Sequence, residues 1–164
     1  MRGRVGERGF TLVEVVVALL IFSLVVGAAL AVYQQAMLSW HREEARVDVQ
    51  ENLRIGLDRM SRELRTAVEL YEANNDSIRF KSADGKTVRY YHRNDVGQLM
   101  REVDGGHNPV ASYVTALNLT YYDADHNPVQ NPESVRLVRI ILTGRKGGGP
   151  EVTMSTSVKI RALG

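Results

Sequence analysis

The sequence predicts an α+β protein in which one long N-terminal helix packs on a C-terminal antiparallel β-sheet. Three observations support this fold class. Residues 10–33 form an apolar run, residues 34–72 carry apolar side chains at helical spacing, and residues 73–164 alternate apolar and polar residues between turn sequences. The length of 164 residues suits one domain with an appendage. We expect the first half of the helix to span a membrane and the second half to be amphipathic.

The apolar run is long enough to cross a bilayer. A membrane-spanning helix needs about 20 mostly apolar residues, and Phe10 to Tyr33 supplies 24. Basic residues before the run indicate a cytoplasmic N-terminus, so residues after it are expected outside, as in a single-pass protein. A cleaved signal peptide ending at Ala29–Leu30–Ala31 is the alternative. The run is longer than a signal peptide's apolar region and contains Glu14, and both features favour a retained helix.

Beyond the membrane the helix is expected to continue from residue 34 to residue 72. No proline occurs between Phe10 and Asn74, and Asp58 can pair with Arg62 one turn away. The apolar stripe predicts packing on the chain's own sheet, with a partner-binding coiled coil as the alternative. Asn74–Asn75–Asp76 is expected to end the helix. The stripe consists of Leu53, Leu57, Met60, Leu64, Val68 and Tyr71.

The β-rich region from residue 73 to residue 164 predicts an antiparallel meander with one apolar face. The alternating pairs and triplets are Ile78/Phe80, Val88/Tyr90, Leu117/Leu119/Tyr121, Val135/Leu137, Val152/Met154 and Val158/Ile160. The turn sequences are Asp84–Gly85, Asp104–Gly105–Gly106, residues 123–128 and residues 144–150. Because helix and sheet each have one apolar face to bury, we expect them to pack together.

Composition excludes several classes of function. The chain has no cysteine, which excludes disulfides, cysteine-ligated metals and thiol catalysis. Residues 1–9 hold three of the 21 basic and one of the 19 acidic side chains, which leaves 18 of each in the remainder. The body is therefore neutral, and no nucleic-acid partner is expected. The four histidines lack metal-type spacing, so no metal, cofactor or enzymatic activity is expected.

Two loops resemble ligand-binding sequences but lack residues that those ligand-binding motifs require. Asp123-x-Asp125-x-Asn127 begins like a calcium loop, but Pro128 and Ser134 replace the required glycine and glutamate. We expect a polar turn there, with calcium binding as the alternative. The glycine-rich segment 144–150 lacks the Gly-Lys-Ser/Thr of a phosphate-binding loop and predicts a hairpin. In Tyr90–Tyr91 and in Tyr121–Tyr122, one tyrosine should face the core and the other water.

The residues around the start of the apolar run carry a family resemblance. Arg8–Gly9–Phe10–Thr11–Leu12–Val13–Glu14, followed by the apolar helix, resembles the processing motif of type IV prepilins and type II secretion pseudopilins. The resemblance implies a pilin-like fold and a location in the inner (cytoplasmic) membrane. It also implies that residues 1–9 are a leader, that a prepilin peptidase cuts between Gly9 and Phe10, and that the same enzyme methylates the Phe10 amine.

Glu14 is the candidate assembly residue. Cleavage would leave a positive amine on Phe10 at a helix N-terminus, where the macrodipole makes positive charge unfavourable. A carboxylate one turn further along can neutralise it, within the chain or on a neighbouring helix. The resemblance implies the second arrangement, in which Glu14 meets the N-terminus of the next subunit.

Looser patterns extend the resemblance along the chain. Residues 50–70, 121–129, 138–142 and 155–163 resemble minor pilins of the PilW kind and J-type minor pseudopilins. The apolar helix lacks a proline near Ala31, and no cysteine pair closes a C-terminal loop, which favours a minor subunit over a major pilin. The expected function is a subunit in the initiating or tip complex of a type II secretion pseudopilus or type IV pilus-like filament. Its expected partners are the peptidase/methyltransferase, other minor and major subunits and the inner-membrane assembly platform.

Two alternative functions fit the same residues. One is a minor subunit of a competence (DNA-uptake) pseudopilus. The other, from a different class, is a membrane-anchored extracytoplasmic binding protein with an uncleaved helix.

Overall fold

The computed structural model describes residues 11–160, apart from the side chain of His41. The chain divides into two units, Met1–His41 and Arg42–Gly164. The elements in chain order are α1 (Leu12–Arg65), β1 (Glu69–Ala73), β2 (Ser77–Lys81), β3 (Thr87–Arg93), β4 (Gln98–Val103), β5 (Gly106–Ser112), β6 (Val114–Tyr122), a short 3-10 helix (Pro132–Ser134), β7 (Leu137–Gly144) and β8 (Val152–Lys159). The predicted α+β class, a long N-terminal helix packed on antiparallel sheets, is confirmed.

Helix α1 ends earlier than the sequence pattern predicts. The amide groups of Thr66 and Ala67 bond to carbonyls three residues back, at 3.2 Å each, which tightens and closes the last turn. The Val68 amide then donates to the Lys81 carbonyl at 2.9 Å, which starts the sheet. The expectation that the amphipathic helix reaches residue 72 is therefore wrong. Val68 and Tyr71 are about 40% exposed (42% and 41%), while Ala67 and Leu70 face the core.

The strands form two antiparallel sheets, and the expectation of a single meander is wrong. Strands β1 to β5 follow one another in a five-stranded sheet, and β6 to β8 form a three-stranded sheet. Tyr113, between β5 and β6, has a φ of 63°, in the left-handed region. The register of β6 on β7 also shifts between Val114 and Ala116. These two irregularities redirect the chain from the first sheet into the second.

The predicted turns fall mostly where expected. Gly85, between β2 and β3, and Gly105, between β4 and β5, have φ values of 83° and 80°, which glycine adopts without strain. Residues 144–150 connect β7 to β8, as predicted. Asn74–Asn75–Asp76 does not end the helix. It is the turn between β1 and β2, closed by the Asn74 amide on the Ser77 carbonyl at 3.0 Å.

One core joins α1 to both sheets. Helix residues spaced three and four apart are buried: Val49, Leu53, Leu57, Met60 and Leu64. They meet inward side chains of both sheets, including Phe80 and Tyr90, whose rings stack at 6.4 Å. Each fully buried large aliphatic side chain contributes about 1.5–3 kcal/mol. Packing of α1 on the chain's own sheets is thus confirmed.

Candidate processing and assembly site

The start of α1 places Glu14 in the first helical turn. The Glu14 amide donates to the Thr11 hydroxyl at 3.3 Å, and the Val15 amide to the Thr11 carbonyl at 3.2 Å. Thr11 therefore acts as an N-terminal cap. A carboxylate in the first turn is stabilised by the helix macrodipole. Gly9 and Phe10, the predicted cleavage and methylation residues, lie outside the described residues.

No basic side chain pairs with Glu14 within residues 11–160. A carboxylate in an apolar surround requires a compensating charge, because burying it alone is expensive. The described part of the site thus presents a carboxylate in the first turn of α1.

Residues 15–40 of α1 present a mostly apolar and uncovered surface. Residues 11–40 are all exposed, and none of the most apolar 18-residue window, with mean hydropathy 3.0, is buried within the protein. The hydroxyl of Ser23 donates to the Leu20 carbonyl at 2.8 Å, so this polar group is satisfied within the helix. By length and composition the segment can cross a membrane. An apolar surface of this extent must be covered by lipid or by other helices.

The second unit fixes residues 42–65 of α1 with polar contacts as well as the core. Glu63 accepts a hydrogen bond from Arg101 of β4 at 2.8 Å. Asn52 accepts from the Ser112 amide at 3.2 Å. Lys146, in the β7–β8 loop, contacts the carboxylate of Asp48, and its hydrogen bond to Asp48 raises the Lys146 pKa.

The loop at Asp123 is a self-contained polar turn. The Asp123 carboxylate accepts hydrogen bonds from the amides of Asp125 and Asn127, at 2.9 Å each, and from the Asn127 side chain at 3.3 Å. The bond from the Asn127 amide is the main cause that lowers the Asp123 pKa. Among the described residues, no three His, Asp or Glu side chains cluster as a metal site would require. The hydrogen bonds within residues 123–127 confirm the predicted turn.

The two tyrosine pairs divide between core and surface, as predicted. Tyr90 and Tyr121 are buried, and burial raises the pKa of each hydroxyl. Tyr91 and Tyr122 are partly exposed. The Tyr121 hydroxyl donates to the Asn74 carbonyl at 2.6 Å. This hydroxyl therefore has a hydrogen-bond partner within the protein and gives no indication of ligand binding.

Sequence reasoning missed the polar anchors of the helix. Asp48 and Lys146 are 98 positions apart, and Asn52 and the Ser112 amide are 60 apart. No local spacing rule joins residues so distant. A polar Asn52 beside the apolar stripe is the one signal that could have suggested a side-chain contact to the sheet.

The N-terminal segment is an apolar helix that fits membrane anchoring, and the second unit combines the rest of α1 with two antiparallel sheets. The family model described as "Prokaryotic N-terminal methylation motif" matches residues 4–30, which include Gly9, Phe10 and Glu14. This match supports a type IV prepilin-like protein, as the resemblance indicated. The motif supports a pilin or pseudopilin subunit and suggests a structural role rather than an enzymatic one. No curated protein matches the chain.

Proposed function

We propose that the protein is a minor pilin or pseudopilin subunit. It assembles through α1 into the initiating or tip complex of a type II secretion pseudopilus or type IV pilus-like filament. The observation that carries the proposal is the methylation motif at residues 4–30, which leads into a helix surface that the rest of the protein leaves uncovered. Other apolar helices in a bundle would cover that surface after the helix leaves the lipid.

In this proposal residues 1–9 are a leader and a prepilin peptidase cuts between Gly9 and Phe10. Phe10 becomes the methylated N-terminus of the membrane helix. The amine of Phe10 and the carboxylate of Glu14 then form a charge pair between neighbouring subunits. Because each charge would be costly to bury alone, the pair fixes the axial register of one helix on the next.

The proposed location before assembly is the inner membrane, crossed once, with the N-terminus in the cytoplasm. The basic residues that precede the helix support this orientation. The proposed partners are the peptidase/methyltransferase, other minor and major subunits, and the assembly platform. The minor role rests on the missing helix proline and the missing cysteine pair, and it implies few copies per filament.

Mass spectrometry of the mature N-terminus tests the processing step. We expect a chain that begins with methylated Phe10. An intact Met1 would support the anchored binding protein instead, and a chain that begins at Val32 would reveal an ordinary signal peptide.

The substitution Gly9→Val also tests the proposed cleavage between Gly9 and Phe10. The peptidase must approach the backbone closely at the cut, so this variant should accumulate as the uncleaved precursor. Gly6→Val is the matched control, since it makes the same substitution within the leader but away from the cut, and it should mature normally. Normal maturation of Gly9→Val would contradict the assignment.

A further inference from the structure

The uncharged surface of α1 continues past its purely apolar part. Residues 15–40 carry no charged side chain, and all of them are exposed within the first unit. From residue 34 onward, however, polar and apolar side chains are mixed. The mixed segment consists of Gln34, Gln35, Ala36, Met37, Leu38, Ser39 and Trp40. Because unpaired amide groups are costly to bury in hydrocarbon, this segment suits the boundary between lipid and water better than the bilayer core.

Three side chains form one exposed face across this boundary. Tyr33, Met37 and Trp40 are spaced four and three residues apart, so they lie on the same side of the helix. Tyr33 is 59% exposed and Trp40 is 72% exposed. Each of these two rings combines an apolar body with one polar group, a hydroxyl or an indole N–H. Such rings are enriched at the headgroup level of membranes, where both parts are satisfied at once.

The length of the helix matches this level. Glu14 and Trp40 are 26 positions apart, which is about 39 Å along a helix that rises 1.5 Å per residue. A bilayer is about 30 Å thick in its hydrocarbon core and about 40–45 Å thick with its headgroups. Residues 15–34 therefore match the hydrocarbon core. Glu14 and Trp40 then reach the two opposite headgroup layers when the helix crosses.

The direction of the Trp40 side chain brings its ring closer to the lipid. Side chains of a helix point back toward its N-terminus, so the indole lies over the preceding turn. The α-carbon of Trp40 is about 9 Å beyond that of Gln34, the last residue of the matched span. One turn back from there, the ring falls inside a headgroup layer that is about 5–7 Å thick.

We propose that the face formed by Tyr33, Met37 and Trp40 binds the lipid headgroup layer at the end of the span remote from Glu14. The Tyr33 ring lies at the hydrocarbon boundary. The Trp40 indole lies among the headgroups and donates its N–H to a phosphate or ester oxygen. Since Glu14 occupies the opposite headgroup layer, this anchor fixes the depth at which the helix sits. The inference rests on the membrane-spanning helix of the proposed function and adds the residues that hold it in place.

Quenching of Trp40, the single tryptophan of the chain, tests the proposal. The full-length protein is reconstituted in a large excess of phosphatidylcholine, brominated on its acyl chains either near the headgroup or near the methyl end. Bromine near the headgroup should quench the Trp40 emission at least about twofold more strongly than bromine near the methyl end. Equal quenching by the two lipids, stronger quenching by the deep bromine, or quenching by neither would overturn the proposal.

The double variant Trp40→Phe/Leu24→Trp is the matched control. Leu24 lies ten positions after Glu14, about 15 Å along the helix and thus near the middle of the hydrocarbon core. Its tryptophan should show the reverse order, with the deep bromine quenching more strongly. If it does so while Trp40 is not quenched, the anchor is refuted and the membrane-spanning helix stands. If neither tryptophan is quenched, the helix does not enter the bilayer, and the proposed membrane location fails together with the anchor.

Discussion

Gly144 is the position at which a single methyl group should destabilise the globular unit most clearly. It is the last residue of β7, the middle strand of its sheet, and faces Val114 on one side and Val152 on the other. A Cβ added there would lie 2.6 Å from the Tyr113 carbonyl oxygen and 3.1 Å from side-chain carbons of Leu53 and Val49. We therefore expect Gly144→Ala to strain both the chain and the core.

The size of the effect follows from these contacts. The Tyr113 oxygen belongs to the backbone and accepts a hydrogen bond from the Arg145 amide at 2.8 Å, so it cannot move away freely. Overpacking a core by one methyl group costs about 1–3 kcal/mol. Weakening the hydrogen bond adds about 1 kcal/mol. Because alanine also restricts the unfolded chain, which offsets about 0.4–1 kcal/mol, the free energy of unfolding should fall by about 1–3.5 kcal/mol.

Urea unfolding of the full-length protein in detergent, followed by circular dichroism, measures the loss. Gly148→Ala is the matched control in the same loop region, since a Cβ at Gly148 would have no atom within 4 Å. It should change the free energy of unfolding by less than about 0.5 kcal/mol. A Gly144→Ala protein as stable as wild type, or an equal loss in Gly148→Ala, would refute the packing argument.

Three further predictions follow from other parts of the chain. Glu14→Val should be processed but should not copurify with partner subunits, because the Phe10 amine would be buried among helices without a partner, at a cost of several kcal/mol. Ser23→Val is the control and should copurify normally. Equal copurification of the two variants would contradict the proposed charge pair. Tyr121→Phe removes the hydrogen bond to the Asn74 carbonyl and should cost about 1–2 kcal/mol in urea unfolding. Tyr122→Phe is the matched control at a partly exposed ring and should cost less than about 0.5 kcal/mol. An equal cost for the two variants would contradict the contribution of the Tyr121 hydroxyl. The lowered pKa of Asp123 means that its stabilisation of the turn is present above the unfolded pKa of about 3.9 and is lost as pH falls through the lower folded value; an NMR titration with a midpoint at or above the unfolded value would disprove this.

Local periodicity predicted the elements whose apolar residues alternate clearly. Ile78 and Phe80 in β2, and Leu117, Leu119 and Tyr121 in β6, are buried as expected because successive side chains of a strand face opposite sides. The pattern failed for β1, β4 and β5. Strand β5 buries only Ala111, and β4 buries the adjacent residues Leu99 and Met100, so neither shows a period of two.

At the end of α1, the helical spacing of apolar residues continues beyond the last helical residue. Val68 and Tyr71 continue the helical spacing of Leu64, yet the chain turns into β1 first. The hydrogen bond from Val68 to Lys81 joins residues distant in sequence, and it replaces the next helical bond. Tertiary contacts of this kind override local propensity, which is worth only tenths of a kcal/mol per residue.

The sequence by itself determined the N-terminal motif, the apolar helix and the α+β class, because these depend on residue type and on spacing along one segment. Gly9, Phe10 and Glu14 were predicted as site residues from their order in the chain, and the family match spans residues 4–30, in which they lie. Only the tertiary structure decided how the strands divide between two sheets and which polar residues hold residues 42–65 of α1. Those features depend on pairings such as Asp48 with Lys146, whose partners are brought together by the folding of the whole unit.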